Sequence, residues 1–211
     1  RFSFFGEEGG SSPLVPRSFH PFSLSGLPPN GRRELRVKLQ PLDRGADDSR
    51  RCALHRDGSL IRIELPEVDA FCDVAAGTIK LRSHGPAELF TLTRLFSALL
   101  LPSFDALLIH AAAVVREGNA YLFLGPSGSG KTTIARLSKE LGHSVLSDES
   151  VVLGWKDGGH LAWGSPFANP GLSSPGAARV AGLFFLKQSP CHRLTPLSRP
   201  VALRALLGSG F

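Results

Sequence analysis

The sequence predicts an α/β protein: a small N-terminal β-rich segment, then a core in which strands alternate with loops and helices. Three observations carry that expectation. Between residues 34 and 82, polar and apolar residues alternate over three strand-length runs, the period of a half-buried strand. From Glu88 to Leu101 the apolar period lengthens to that of a helix. From Leu107 to Glu149, strand, turn, strand, glycine-rich loop, helix and strand follow one another.

Taken in order, residues 1–31 are rich in Gly, Ser, Pro and Phe and close on Pro28-Pro29-Asn30-Gly31, so a loosely ordered leader is expected. Residues 32–102 form the β-rich segment with one helix. Glu34–Leu39, Leu60–Leu65 and Thr78–Arg82 are its strands, and Asp57-Gly58 and Ala76-Gly77 punctuate them, which predicts a small antiparallel sheet. In the helix, Leu89, Leu92, Leu95, Phe96 and Leu99 are expected to share the buried face. Residues 103–211 are the core. Leu107–Val115 is a long apolar strand, Glu117-Gly118-Asn119 a tight turn and Ala120–Leu124 a second strand. Thr132–Leu141 has apolar residues at 134, 137 and 141, with Gly142 as a stop. Ser144–Ser147 is a short strand, Val151–Trp155 and His160–Trp163 a hairpin, Ala181–Leu186 a buried strand, and Pro200–Leu207 a helix.

Residues Gly125, Pro126, Ser127, Gly128, Ser129, Gly130, Lys131 and Thr132 complete a G-x-x-x-x-G-K-[ST] phosphate loop, the Walker A pattern. Its glycines let the backbone curl so that successive N–H groups converge on an anion. Lys131 adds a charge for the β/γ-phosphates, Thr132 a hydroxyl for Mg²⁺, and Thr133 belongs to the helical turn whose positive end faces the same phosphates. A strand before the loop and a helix after it are the context that this motif requires. A nucleoside triphosphate is the expected ligand.

Asp148 and Glu149 end the next strand, sixteen residues after Thr132, where a strand beside the loop could bring carboxylates to Mg²⁺. His110 lies among apolar residues in the strand before the loop strand, where a core histidine is the competing reading. His143 and Ser147 are weaker candidates.

Composition excludes several classes. No apolar run approaches the ~20 residues of a membrane-spanning helix, and no signal-peptide pattern opens the chain. The chain contains no methionine, as a trimmed or partial sequence would show. Cys52, Cys72 and Cys191 are far apart and odd in number, which argues against a disulfide framework or metal knot and for a reducing, cytoplasmic setting. The formal net charge of +6 comes mostly from arginines interleaved with acids rather than from an aromatic-studded basic stripe, so nucleic acid is not expected as a partner. Neither the signature segment of an ABC-type ATPase nor the base-reading motif of a small GTPase is present.

The run Ile109–Val115, the glycine loop, Gly142-His143 and Leu146-Ser147-Asp148-Glu149 together resemble the catalytic core of HPr kinase/phosphorylase, and more closely the shorter HPr-kinase-like proteins of bacterial peptide-modification gene clusters. As in that family, a strand histidine (His110) stands fifteen residues before the first loop glycine, and the acidic pair begins twenty-three residues after it. The resemblance runs from residue 107 to about 190 and includes Trp163–Phe167 and Leu183–Leu186. It implies a core shared with the PEP-carboxykinase group, its phosphate loop on a mixed sheet, and ATP- and Mg²⁺-dependent transfer of a phosphoryl group to a serine of a protein or peptide. Lys131, Asp148 and His110 would be the catalytic residues, with Asp148 as base or metal ligand and His110 orienting it; Thr132, Asp148 and Glu149 would hold the metal. The family's pair is two aspartates, whereas the second position here is Glu149. The family's later glycine-rich segment for reverse phosphorolysis is not recognisable. The competing function is a nucleotide-binding regulatory or assembly module without transfer activity, suggested by the roughly 60 residues that follow the acidic pair. A homo-oligomer is compatible with either reading.

Overall fold

The computed structural model describes residues 2–6, 35–41, 53–65, 68–76, 78–83 and 86–209. Over these residues the protein is mixed α/β and built largely from strands, with three α-helices. It divides into two compact units, Arg1–Phe104 and Asp105–Phe211.

The first unit holds a six-stranded sheet: β1 (Phe2–Gly6), β2 (Leu35–Pro41), β3 (Ala53–Asp57), β4 (Leu60–Leu65), β5 (Val68–Asp73) and β6 (Thr78–Ser83), in the order β1-β2-β6-β5-β4-β3. Phe2–Gly6 of the expected leader is thus a strand, and residues 7–31 lie outside the described residues. The sheet is not purely antiparallel, as the sequence led us to expect, because β1 pairs parallel with β2 and β2 parallel with β6. Strand alternation alone does not choose a partner or a direction; β6, β5 and β4 intervene between β2 and the opposite edge strand, β3.

Alternate residues bury one face, with Ala70, Cys72, Ile79 and Leu81 at most 1% exposed. Helix α1 (Pro86–Leu100) packs on that side, against β6, β2 and β5. Its buried row is Leu92, Thr93, Phe96, Ser97 and Leu100, whereas Leu95 and Leu99 are exposed, and Leu89 lies outside the residues whose side chains are described. The turn of 100° per residue puts 92, 96 and 100 in one row and 95 and 99 on its flank. Ser97 enters the core because its hydroxyl donates to Thr93 O at 2.6 Å.

Cys72 sits in this core, and burial, assisted by the Asp73 carboxylate, pushes its thiol up to about 12. Since the unfolded chain ionises first, stability from the buried neutral thiol holds below the ordinary value of 9.0 and is lost as pH rises toward about 12. Alkylation of the native protein near neutral pH, mapped by peptide mass, should therefore modify the exposed Cys191 and leave Cys72 untouched. Equal labelling of both would contradict this packing. Cys52 lies outside the described residues.

The second unit is organised on β7 (Ala106–Arg116), whose burial continues over nearly its whole length. Asp105, Glu117 and Gly118 adopt positive φ at its two ends. After the turn, β8 (Asn119–Leu124) returns antiparallel, with Ala111 opposite Leu124. Across the glycine loop comes α2 (Lys131–Glu140), then β9 (Ser144–Ser147), β10 (Ser150–Lys156), β11 (Gly159–Trp163), β12 (Ala177–Phe185) and α3 (Arg199–Leu207). On its other edge β7 pairs with β9 over Ala113–Val115 and with β10 over Ala106–His110, so β9 and β10 read as one strand interrupted at Asp148-Glu149. Strand β10 then pairs with β11, β11 with β12, and β12, parallel, with β8. Strands β7, β8, β12, β11 and β10 thereby close a ring.

Ile109, Ala111 and Ala113 face the inside of that ring with Leu122, Leu124, Val151 and Leu153. Ala112, on the opposite face of β7, packs with Ala135 of α2 and Val145 of β9. Helix α2 thus docks through a small residue, and the expected apolar positions 137 and 141 are exposed. A short contact of this kind brings the helix axis close to the sheet. The other expectation that fails is β12, which is half-exposed rather than buried; its outer Phe184 stacks on Phe123 at 5.4 Å between ring centroids.

Candidate functional site

The glycine loop begins where β8 meets the end of β12, and Leu186 N donates to Leu124 O at 2.7 Å. Gly125 has φ +148°, and a Cβ there would lie 2.7 Å from Ser129 Oγ and 3.0 Å from Leu186 O, so the first position admits only glycine. Ser129 N donates to Pro126 O at 3.1 Å, which closes the turn, and Gly130, at φ +105°, precedes α2. The first helical bond is Ile134 N to Gly130 O at 3.0 Å. The N–H groups of Lys131, Thr132 and Thr133 are then first-turn donors that the helix cannot satisfy itself, next to its positive end. Pro126, Ser127 and Gly128 are exposed and Thr132 is half-buried.

Lys131 is only 6% exposed. Its ammonium donates to Gly125 O at 2.7 Å and Pro126 O at 3.0 Å, so the cation is folded against the loop. Burial pulls the ammonium below the ordinary lysine range, and the Glu149 carboxylate partly opposes the shift. The loop cation and the Glu149 carboxylate therefore act on each other electrostatically. An anion brought to the loop would offset, by its charge, the desolvation that now disfavours the charged form.

The acidic pair sits where the β9–β10 strand leaves regular register. Between Ala113 opposite Ser147 and His110 opposite Ser150, the chain leaves regular register, and Glu149 O accepts from Ala111 N at 3.0 Å. Ser147 shapes the break: its buried Oγ accepts from Glu149 N at 3.2 Å and Ser150 N at 3.1 Å. Sequence reading assigned Ser147 no such task.

Asp148 is 1% exposed, and both of its oxygens are held by Asn169: Oδ1 accepts the backbone N–H at 2.9 Å and Oδ2 the side-chain amide at 2.7 Å. One lone-pair direction remains on each oxygen. Asn169 went unnoticed in the sequence, though it follows Trp163–Phe167 by two positions. Ser165 secures that segment by donating to Ser150 O at 2.5 Å.

His110 belongs to the face of β7 that also carries Ala112, the face against which α2 packs. Its backbone N–H donates to Ser209 O at 2.7 Å. With Gly125, Pro126, Phe185, Leu186 and the end of α3, it lines a cavity of about 540 Å³. The structure thus brings the glycine loop and His110 to one cavity, and the loop and the acidic pair to the two sides of β7.

Among the described residues no three His, Cys, Asp or Glu side chains gather as a metal site. Magnesium is satisfied by one or two protein oxygens, the remainder being phosphate and water. The donor set fits that pattern, since Glu149 bears on Lys131 electrostatically and Thr132 opens α2, while the Asp148 oxygens are largely committed to Asn169. No helix among the described residues is long and apolar enough to cross a membrane. Neither protein-family models nor curated proteins match this chain.

Proposed function

We propose that the second unit is a phosphate-loop kinase core of the HPr-kinase-like kind, transferring the γ-phosphoryl group of ATP, with Mg²⁺, to a serine of a protein or peptide. The observation that carries this reading is the buried Lys131 cation set on the loop carbonyls, within the field of Glu149, whose acidic pair with Asp148 stands across β7 from the loop. Phosphoryl transfer needs positioning and charge stabilisation more than covalent chemistry, and these parts supply both.

In this reading the loop amides of Gly125 to Thr133 and the Lys131 ammonium bind the β- and γ-phosphates. Asp148, oriented by Asn169, accepts the proton of the serine hydroxyl. His110, on the loop side of β7, borders the space that the acceptor enters. Thr132 and Glu149 would hold Mg²⁺, which supplies further neutralisation of phosphate charge when bound.

Calorimetric titration tests the first part. Wild type should bind ATP in the presence of Mg²⁺, and Lys131→Ala should weaken that by ~1.5–3 kcal/mol, about 10- to 150-fold, since it removes a charge-assisted contact. Identical affinities would remove the loop from the argument. Incubation with γ-labelled ATP and serine peptides tests the second part. Tight ATP binding with no labelled product across a broad panel would favour a nucleotide-binding module without transfer.

A further inference from the structure

The chain from β11 onward is unlike the rest. From residue 158 to 211 it contains no Asp or Glu, whereas Arg179, Lys187, Arg193, Arg199 and Arg204 all fall there. It also leaves large apolar groups in water: Leu194 is 79% exposed, Leu203 57% and Leu207 66%. Helix α3 buries no residue fully, and nine residues of such a helix draw little stability from propensity. At 100° per residue, Leu203 and Leu207 form a stripe between Arg199 on one side and Arg204 on the other.

Both ends of this segment are tied to the candidate site. Near its start, the Gln188 amide donates to Gly128 O at 2.8 Å, on the glycine loop. At its far end, Ser209 O accepts from His110 N at 2.7 Å, and Ala205 and Ser209 line the cavity shared with His110 and Gly125. The segment is a strap anchored at the glycine loop by Gln188 and at β7 by Ser209, with a basic, apolar middle.

We propose that residues 187–209 dock the phosphoacceptor, and that the acceptor is an acidic peptide whose carboxylates alternate with apolar side chains around the target serine. The proposal rests on the kinase reading above. Carboxylates answer arginines that no acid in the segment answers, and leucines answer the exposed stripe. A polyphosphate would have no use for that stripe and is already served by the loop amides and Lys131. A lipid surface would have no use for tethers that hold the strap at the cavity.

Fluorescence anisotropy with the full chain tests this, using three labelled serine peptides: one flanked by Glu and Leu, one with Lys in place of Glu, and one with Gly in place of Leu. The Glu/Leu peptide should bind about tenfold or more tighter than either control, and weaken as salt rises. Arg193→Gln/Arg199→Gln/Arg204→Gln should lose about tenfold in peptide affinity and leave ATP affinity within about twofold. Leu203→Ser/Leu207→Ser should lose peptide affinity at unchanged salt slope.

Equal binding of the three peptides would overturn the proposal. A loss of ATP affinity in the arginine variant would do the same, since the strap would then be a phosphate lid. Arginine-dependent binding to vesicles of phosphatidylcholine and phosphatidylserine, with no peptide binding, would assign the strap to membranes. Self-association that the leucine variant abolishes, again without peptide binding, would assign it to a second copy. Wild type that binds ATP but not the Glu/Leu peptide fails the strap alone, whereas failure to bind ATP fails the kinase reading.

Discussion

Replacing Asp148 by Asn is expected to cut phosphoryl transfer by on the order of 10²–10⁴, the usual range for a lost general base, while ATP affinity stays within a few-fold. The substitution is close to isosteric, and the site can absorb it. The amide of Asn169, which now donates to Oδ2 at 2.7 Å, can rotate to present its own oxygen to the amide introduced at position 148, and the backbone bond to Oδ1 is kept. A change in rate would therefore report the missing base rather than a collapsed loop. Single-turnover transfer and calorimetric titration on the same preparation would check both halves. Transfer at the wild-type rate would rule out Asp148 as the base, though not the nucleotide site.

Gly164→Ala should produce the largest loss of stability in the second unit. Its added methyl would sit 2.0 Å from Ser174 O and 2.9 Å from Leu146 O, both backbone atoms that no rotamer change can move. The neighbourhood is also fixed by Ser174 Oγ donating to Val145 O at 2.7 Å and by Gly164 N donating to Gly176 O at 3.0 Å. A cost of about 3 kcal/mol follows from overpacking against rigid atoms, enough to lower the melting temperature by roughly 10 °C or more. The two tryptophans, Trp155 and Trp163, both lie in this unit, so intrinsic fluorescence during heating reads its unfolding alone. An unchanged transition would mean that the segment from 164 to 176 packs differently. Since that segment carries Asn169, the variant should also loosen the hold on Asp148.

The sequence was most legible where chemistry is local. The helical period located α1 and α2 to within about two residues, and the glycine pattern placed a loop between strand and helix where the backbone requires positive φ at Gly125, Gly128 and Gly130. Lys131 and the acidic pair stand out as candidates in the sequence by residue type and spacing. Long-range partners were not legible. Nothing near β2 announces a parallel partnership with β6, forty residues away, and nothing in β12 announces that it closes a ring onto β8. Strand β5 was missed because Asp69, Phe71 and Asp73 on one face hide the small Ala70 and Cys72 on the other. Asn169 escaped for a related reason: an exposed asparagine in a loop reads as a turn residue until Asp148 is placed beside it. The buried face of α2 misled because Ala135, the least conspicuous residue of the helix, makes the contact.

The position of β7 has a consequence for tolerance to change. The glycine loop leaves β8 at the level of Ala111, and the acidic pair leaves β9 just beyond the level of Ala113, on opposite edges of the same strand. The gap between them is therefore two interstrand spacings, about 10 Å, set by main-chain hydrogen bonds and not by any side chain's reach. Ala111, Ala112 and Ala113 are fully buried, so at that level β7 contributes only methyl groups. The strand works as a calibrated spacer: the distance between the glycine loop and the carboxylates is inherited from backbone geometry alone, whichever small residues fill β7 at that level.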